Sequence, residues 1–142
     1  IAGFGAAADT ANEMLPEAGK LAARRDAFEA RMCEAASDLV IHGVAAPRLG
    51  NTSYFSLPGM KAETAQIAFD MEKIAVSSGS ACSSGKVGPS HVLKAMAADT
   101  DLGAVRVSIG QGTSDADIDA FLEAFNKINT RRLARLAGQN AA

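Results

Sequence analysis

Cysteine is scarce in this sequence. Its 142 residues carry two, Cys33 and Cys82, which lie far apart and belong to no CxxC or other metal-spaced pair. That excludes the disulfide framework on which small secreted domains rely, and the expectation is a reduced, cytoplasmic chain with no metal site. Charge of one sign is lacking too. Fourteen Lys and Arg against sixteen Asp and Glu leave a net charge of −2, so nothing points to nucleic acid or an anionic membrane as partner. No apolar run approaches the ~20 residues of a membrane-spanning helix. The opening Ile1-Ala2-Gly3-Phe4-Gly5 has no Met and no basic stretch, so it reads as neither a natural start nor a signal peptide. Processing would account for it; the expectation here is the end of a longer polypeptide. What the chain does have is 48% apolar and 21% charged residues, enough for one ordinary domain with a real core.

Periodicity gives the elements. Residues 1–15 are Ala-rich and weakly helical, because Gly3 and Gly5 each cost roughly 1 kcal/mol relative to Ala. Pro16 kinks that helix or starts the next. From Glu17 to Asp38 the pattern is helical, with Leu21, Phe28, Met32, Ala35 and Leu39 on one face and Arg24, Arg25, Asp26, Glu29 and Glu34 mainly elsewhere. Strand-like runs follow at 39–42 and 52–57, divided by Gly43 and Pro47-Arg48-Leu49-Gly50-Asn51 and closed by Pro58-Gly59. A helix over about 62–73, with Ile67, Met71 and Ile74 in register, leads to a short buried strand at 74–76. A short helix is expected at 90–97 and a strand at 105–109. Ser114 and Asp117 form a capping box for the last helix, whose stripe is Ile118, Phe121, Leu122, Phe125, Ile128 and Leu136. Arg131, Arg132 and Arg135 suit its negative end. The fold class is α+β, long helices packed on a small mixed or antiparallel sheet.

The chemistry points to one segment. Cys82 stands among Ser80, Ala81, Ser83 and Ser84, with Gly79, Gly85 and Gly88 close by. A cysteine in a core is normally surrounded by apolar residues and inert. This one is not, and such a segment buries little apolar surface. Glycines there give the backbone freedom, which suits a thiol that must travel. A thiol becomes nucleophilic beside a cation, a helix N-terminus or a bound substrate; Lys86 and His91 are candidates by position. Composition alone leaves a working Cys82 and an exposed, inert one equally open.

The string Val76-Ser77-Ser78-Gly79-Ser80-Ala81-Cys82-Ser83-Ser84-Gly85-Lys86-Val87-Gly88-Pro89-Ser90-His91-Val92-Leu93-Lys94-Ala95-Met96 resembles the active-cysteine loop of the NifS/IscS-type cysteine desulfurases, enzymes of the class V aminotransferase family that use pyridoxal 5'-phosphate (PLP). Arg48-Leu49-Gly50-Asn51-Thr52 with Pro58-Gly59, and Arg106-Val107-Ser108-Ile109-Gly110 followed by Thr113 and Asp117-Ile118-Asp119, resemble the family's flanking segments in order and spacing. The likeness runs from Ile1 to about Ile128.

The resemblance implies a reaction. Sulfur leaves L-cysteine, giving L-alanine, and becomes a persulfide on Cys82 for an acceptor such as an iron–sulfur cluster assembly protein. It implies that Arg106 binds the substrate α-carboxylate, for which a permanently charged planar fork is suited as Lys is not; Asn51 would stand near the site. On chemistry alone, an Arg on the polar face of a strand is ordinarily a solvated charge and an Asn before Thr52 an ordinary turn former. His91 and His42 read as structural, and Cys33 as a packing residue. The family's Schiff-base lysine, pyridinium acid and phosphate loop have no counterpart here, and Gln111-Gly112 stands where relatives often carry a larger or basic residue. The resemblance therefore implies the C-terminal small domain of a PLP-dependent transferase fold. Residues 1–16 would be an interdomain linking helix, 17–137 the small domain with the cysteine loop at 77–90, and 138–142 a frayed tail. PLP would be held by a large N-terminal domain in the same polypeptide or a companion chain, and the assembly would be a homodimer. A stand-alone persulfide carrier or interaction module without PLP is the alternative, and selenocysteine is open as a substrate.

Overall fold

The structure is a computed structural model that describes residues 1–78, 90–98 and 101–140. Helix α1 (Ala2–Met14) passes through a three-residue 3-10 turn at Leu15–Glu17, with Pro16 inside it, into α2 (Ala18–Ala35). Proline tolerates this position because a first-turn N–H needs no partner. Every residue of α1 is exposed. Strands β1 (Val40–Ile41) and β2 (Thr52–Ser56), helix α3 (Ala62–Met71), strand β3 (Ser77–Ser78), helix α4 (His91–Ala95), strand β4 (Val105–Ser108) and helix α5 (Asp115–Asn140) complete the order.

The four strands form one sheet in the order β1-β2-β4-β3, antiparallel at every pairing. Alternation along the strands decides its faces. Phe55, Val105 and Val107 point to one side and are buried, while Tyr54, Arg106 and Ser108 point to the other. Helices α2, α3 and α5 cover the first side. Phe121 of α5 is the centre of the core, stacked on Phe69 at 4.8 Å and edge-on to Phe28 at 4.9 Å between ring centroids. Aromatic pairs in such geometries gain about 0.5–1.5 kcal/mol beyond area burial.

Arginines fasten this core at its ends. Arg132, 1% exposed, donates to both carboxylate oxygens of Asp38 at 2.6 and 2.7 Å, to the Pro58 carbonyl at 2.8 Å and to Asn129 Oδ1. One side chain thereby joins α5 to the ends of α2 and β2. The hydrogen bonds from Arg132 hold the Asp38 carboxyl below its ordinary pKa. Gly59, at φ +74°, leaves room for Leu136, whose Cδ2 would lie 2.7 Å from any Cβ. Arg48 pairs with the buried Glu29 through two bonds of 2.7 and 2.8 Å, and Arg25 donates to the Leu49 carbonyl at 2.5 Å. These bonds strap the 43–51 connection to α2.

Several expectations need correction. Arg25 and Glu29, expected mainly off the apolar face, are buried because Leu49 and Arg48 supply their partners. Likewise Arg132 serves a buried network and not only the helix dipole. Ile67 and Met71 are exposed, at 63% and 76%, and α3 instead buries Ala62, Ala65 and Phe69. The strand expected at 74–76 starts later, at Ser77, because α3 ends in a Schellman turn. Lys73 takes φ +64°, its N–H bonds Asp70 O, and the Ile74 N–H bonds Phe69 O. A lysine in that left-handed position gives no glycine cue to read. Cys33 is exposed rather than packed. Of the tail expected to fray, 138–142, residues 138–140 are helical and 141–142 lie outside the described residues. The Ser114–Asp117 capping box is as expected: the Ser114 N–H donates to Asp117 Oδ2 at 2.8 Å and the Asp117 N–H to Ser114 Oγ at 3.2 Å.

Candidate functional site

The sheet face away from the helices is where Arg106 stands. Register puts Tyr54 of β2, Arg106 of β4 and Ser77 of β3 in one row across three strands. Residues opposite one another on adjacent strands share a face, so the row presents a phenol, a guanidinium and a hydroxyl together. The His42 ring lies 5.4 Å from that of Tyr54. At the rim of the row, Ser56 Oγ donates to the Gly103 carbonyl at 2.7 Å and meets His42 Nε2 at 2.7 Å. The hydroxyl has one proton, so His42 Nε2–H is the donor to it. Burial lowers the His42 pKa.

Arg106 differs from the other arginines. Arg24, Arg25, Arg31, Arg48, Arg131 and Arg132 each meet a carboxylate, and Arg135 donates to the Gly59 carbonyl. Arg106 is exposed, and its one side-chain partner among the described residues is Ser77 Oγ, 3.5 Å from Nη2. A guanidinium has five N–H donors. Most of them have no partner among the described residues.

Ser77 in turn belongs to a short strand tied on its other side. Gln66 of α3 donates from Nε2 to the Val76 carbonyl at 3.4 Å, and Ser78 Oγ donates to Gln66 Oε1. Sequence reading placed Ser77 in the cysteine loop. It is a strand residue, and the Gln66 tie had no cue, because a Gln on a helix ordinarily faces water.

The remaining expected site residues fall as follows. Cys82 and Lys86 lie outside the described residues; the described chain stops at Ser78, beside Val105, and resumes at Ser90. Asn51 stands at the mouth of β2, where its carbonyl accepts from the Ile109 N–H at 2.9 Å and its Oδ1 from Thr52 Oγ1 at 3.1 Å. These are turn and sheet contacts, and no hydrogen bond joins Asn51 to Arg106. His91 is exposed at the start of α4, where Ser90 Oγ caps the Leu93 N–H.

The described residues do not fit PLP. All five described lysines (20, 61, 73, 94 and 127) are exposed. Lys20 and Lys127 are paired with surface glutamates. Lys73 borders a hollow of about 290 Å³ lined by Ile74, Val107, Ile118 and Phe121. The acid there, Asp117, is committed to its helix cap, and bonds from Ser114 lower its pKa. No lysine among the described residues is buried as a Schiff-base lysine would be, and the one acid lining that hollow is already engaged. No described helix is long and apolar enough to cross a membrane.

An antiparallel sheet covered by helices on one side, with a row of Tyr54, Arg106 and Ser77 on the other, defines a small α+β module. Residues 1–121 match the model of the aminotransferase class-V family, and the chain belongs to that family. It is 34% identical over 131 residues to a cysteine desulfurase IscS of Dictyoglomus turgidum, covering 90% of this chain and 33% of that protein. It is 38% identical over 137 residues to a cysteine desulfurase of Bradyrhizobium diazoefficiens, covering 94% and 35%. The crystal structure of a NifS-like protein from Rickettsia africae superposes with a TM-score of 0.78 at 29% identity, covering 91% of this chain and 34% of that one. The chain thus spans about a third of the length of the curated relatives it matches.

Proposed function

We propose that this chain is the C-terminal small-domain part of a PLP-dependent cysteine desulfurase, supplying the sulfur-accepting thiol, Cys82, and the substrate-carboxylate residue, Arg106. The observation that carries the reading is Arg106: among the described arginines it alone has neither a carboxylate nor a carbonyl partner, and it stands beside the strand that leads into the cysteine segment. Cys82 follows Ser78 by four residues, and four residues span at most roughly 14 Å. Chain length therefore allows the thiol to reach the Arg106 row. The names of the relatives, cysteine desulfurases, support the same reading.

Each residue has a defined task. Arg106 binds the α-carboxylate of L-cysteine through its open N–H edge. The Cys82 thiolate attacks the substrate sulfur; the S–S bond forms as the substrate C–S bond breaks, and the carbon keeps the bonding pair and takes up a proton. The net exchange converts the thiol and L-cysteine to the Cys82 persulfide and L-alanine. PLP, bound by residues outside this chain, supplies the electron sink that makes that C–S bond cleavable. Residues 1–16 link to the PLP-bearing domain. The protein works as a cytoplasmic homodimer, and the persulfide passes to an acceptor such as an iron–sulfur cluster assembly protein. In the protein purified with its cofactor, Cys82→Ser abolishes persulfide formation and cysteine-dependent alanine release while PLP absorbance is retained. Undiminished alanine release from that variant would overturn the reading.

A further inference from the structure

We propose that Ser77 is a positioning residue for Arg106, and that Gln66 holds the strand that presents it. This builds on Arg106 as the substrate-carboxylate residue. Arginine is long and rotamer-rich, and an exposed one with no carboxylate partner has no fixed direction. A site that binds a carboxylate gains when the fork is already aimed before the ligand arrives. Ser77 Oγ, 3.5 Å from Nη2, accepts from one end of the guanidinium and leaves its other N–H groups to a ligand. The contact is long, so its worth depends on Ser77 staying in place.

Strand β3 has two residues at the edge of the sheet, with Ser77 opposite Arg106 and Ser78 opposite Val105. A ladder that short is marginal on its own. Gln66 supplies what the ladder lacks: its Nε2 donates to the Val76 carbonyl and its Oε1 accepts from Ser78 Oγ, so one side chain grips the residue on each side of Ser77. Gln66 is half-buried and anchored on α3, whose Ala62, Ala65 and Phe69 are packed into the core. The aim of Arg106 is thereby referred to the rigid part of the molecule.

The test uses the protein as expressed from its gene, loaded with its cofactor, and reads the carboxylate site without turnover. Phenylglyoxal modification of Arg106 is followed by peptide mass, with L-alanine as protecting carboxylate. L-alanine protects Arg106 in the unaltered protein. Ser77→Ala needs about fivefold more alanine for the same protection and raises the KM for cysteine by a similar factor, with kcat within about twofold. Ser77→Thr, which keeps the hydroxyl, returns both to near the starting values. Gln66→Leu shifts them in the same direction by about twofold. Protection of Ser77→Ala at the unaltered alanine concentration overturns the proposal. So does a joint fall of kcat and thermal midpoint that Ser77→Thr fails to restore. No protection in the unaltered protein overturns instead the assignment of Arg106 to the carboxylate, on which the proposal stands.

Discussion

Arg132 and Arg106 are the same amino acid on opposite sides of one sheet, and their surroundings differ in every respect. Arg132 is sealed beneath the helices with a carboxylate, a carbonyl and an amide around it. Arg106 is exposed, with one hydroxyl among the described residues at the limit of hydrogen-bond distance. A guanidinium cannot give up its charge in a protein. When buried it must have its partners built in; when it lacks them it must be exposed, and its binding capacity is then unspent. Among the described residues, the carboxylates are used on the helix side and at the surface, and none is in contact with Arg106. Structure and ligand chemistry are divided by which arginine has an anion of its own.

Substitution can break this division at either end. Arg132→Met carries the largest expected effect. It strands the Pro58 carbonyl and Asn129 Oδ1 in a buried place and uncouples α5 from Asp38, a loss of about 3 kcal/mol by analogy with broken buried pairs. Denaturant unfolding of the expressed protein checks it, and a change below about 0.5 kcal/mol, the range of ordinary surface substitutions, would show that the network is ornamental. Arg106→Ala should do the reverse. It leaves stability within about 0.5 kcal/mol of the starting value and lowers kcat/KM for cysteine about a hundredfold, mainly through KM, as loss of a charged hydrogen-bonded pair predicts. An unchanged KM would move the carboxylate site elsewhere.

Much of this division was legible in the residues, and the rest was hidden for physical reasons. Alternation along 105–108 put Arg106 opposite the core, and the apolar stripe of the last helix named Phe121 and Phe125 correctly. Ser114 with Asp117 announced its own cap. What misled was α3: Ile67 and Met71 form a plausible helical stripe, yet the small residues Ala62 and Ala65 let α3 approach closely with Phe69 inward. Periodicity weighs side-chain size, whereas burial also depends on how near two elements come. Arg25 and Glu29 read as lying mainly off the apolar face and Arg132 as a helix-end charge, because a single chain does not display the partners, 19 to 94 residues distant, that make their burial tolerable. The row of Tyr54, Arg106 and Ser77 was hidden likewise, since it joins three strands whose register is a tertiary fact. The cysteine motif, by contrast, is local and was readable from the sequence as a resemblance; Cys82 itself lies outside the described residues.

The smallest expected effect concerns acid, and it separates the two sides by pH. His42 is buried with no carboxylate in contact among the described residues, and burial lowers its pKa below the ordinary 6.5. Its neutral ring already donates from Nε2 to Ser56, so a second proton adds charge without improving that bond. In the unfolded chain the ring takes up its proton near 6.5. Between that value and the lower folded pKa the unfolded state holds more protons, so stability falls as pH drops below about 6.5 and levels off once the folded ring is charged. Asp38 shifts the same way for a different reason: Arg132 lowers its pKa below 3.8. Its contribution is intact above that range and is lost only as pH falls further. A thermal-midpoint titration should therefore show a modest step beginning near pH 6.5, removed by His42→Gln, and a separate carboxylate step in stronger acid, altered by Asp38→Asn. If His42→Gln leaves the upper step in place, the rim of the open face is not where the acid acts. The two sides of the sheet would then lose stability together.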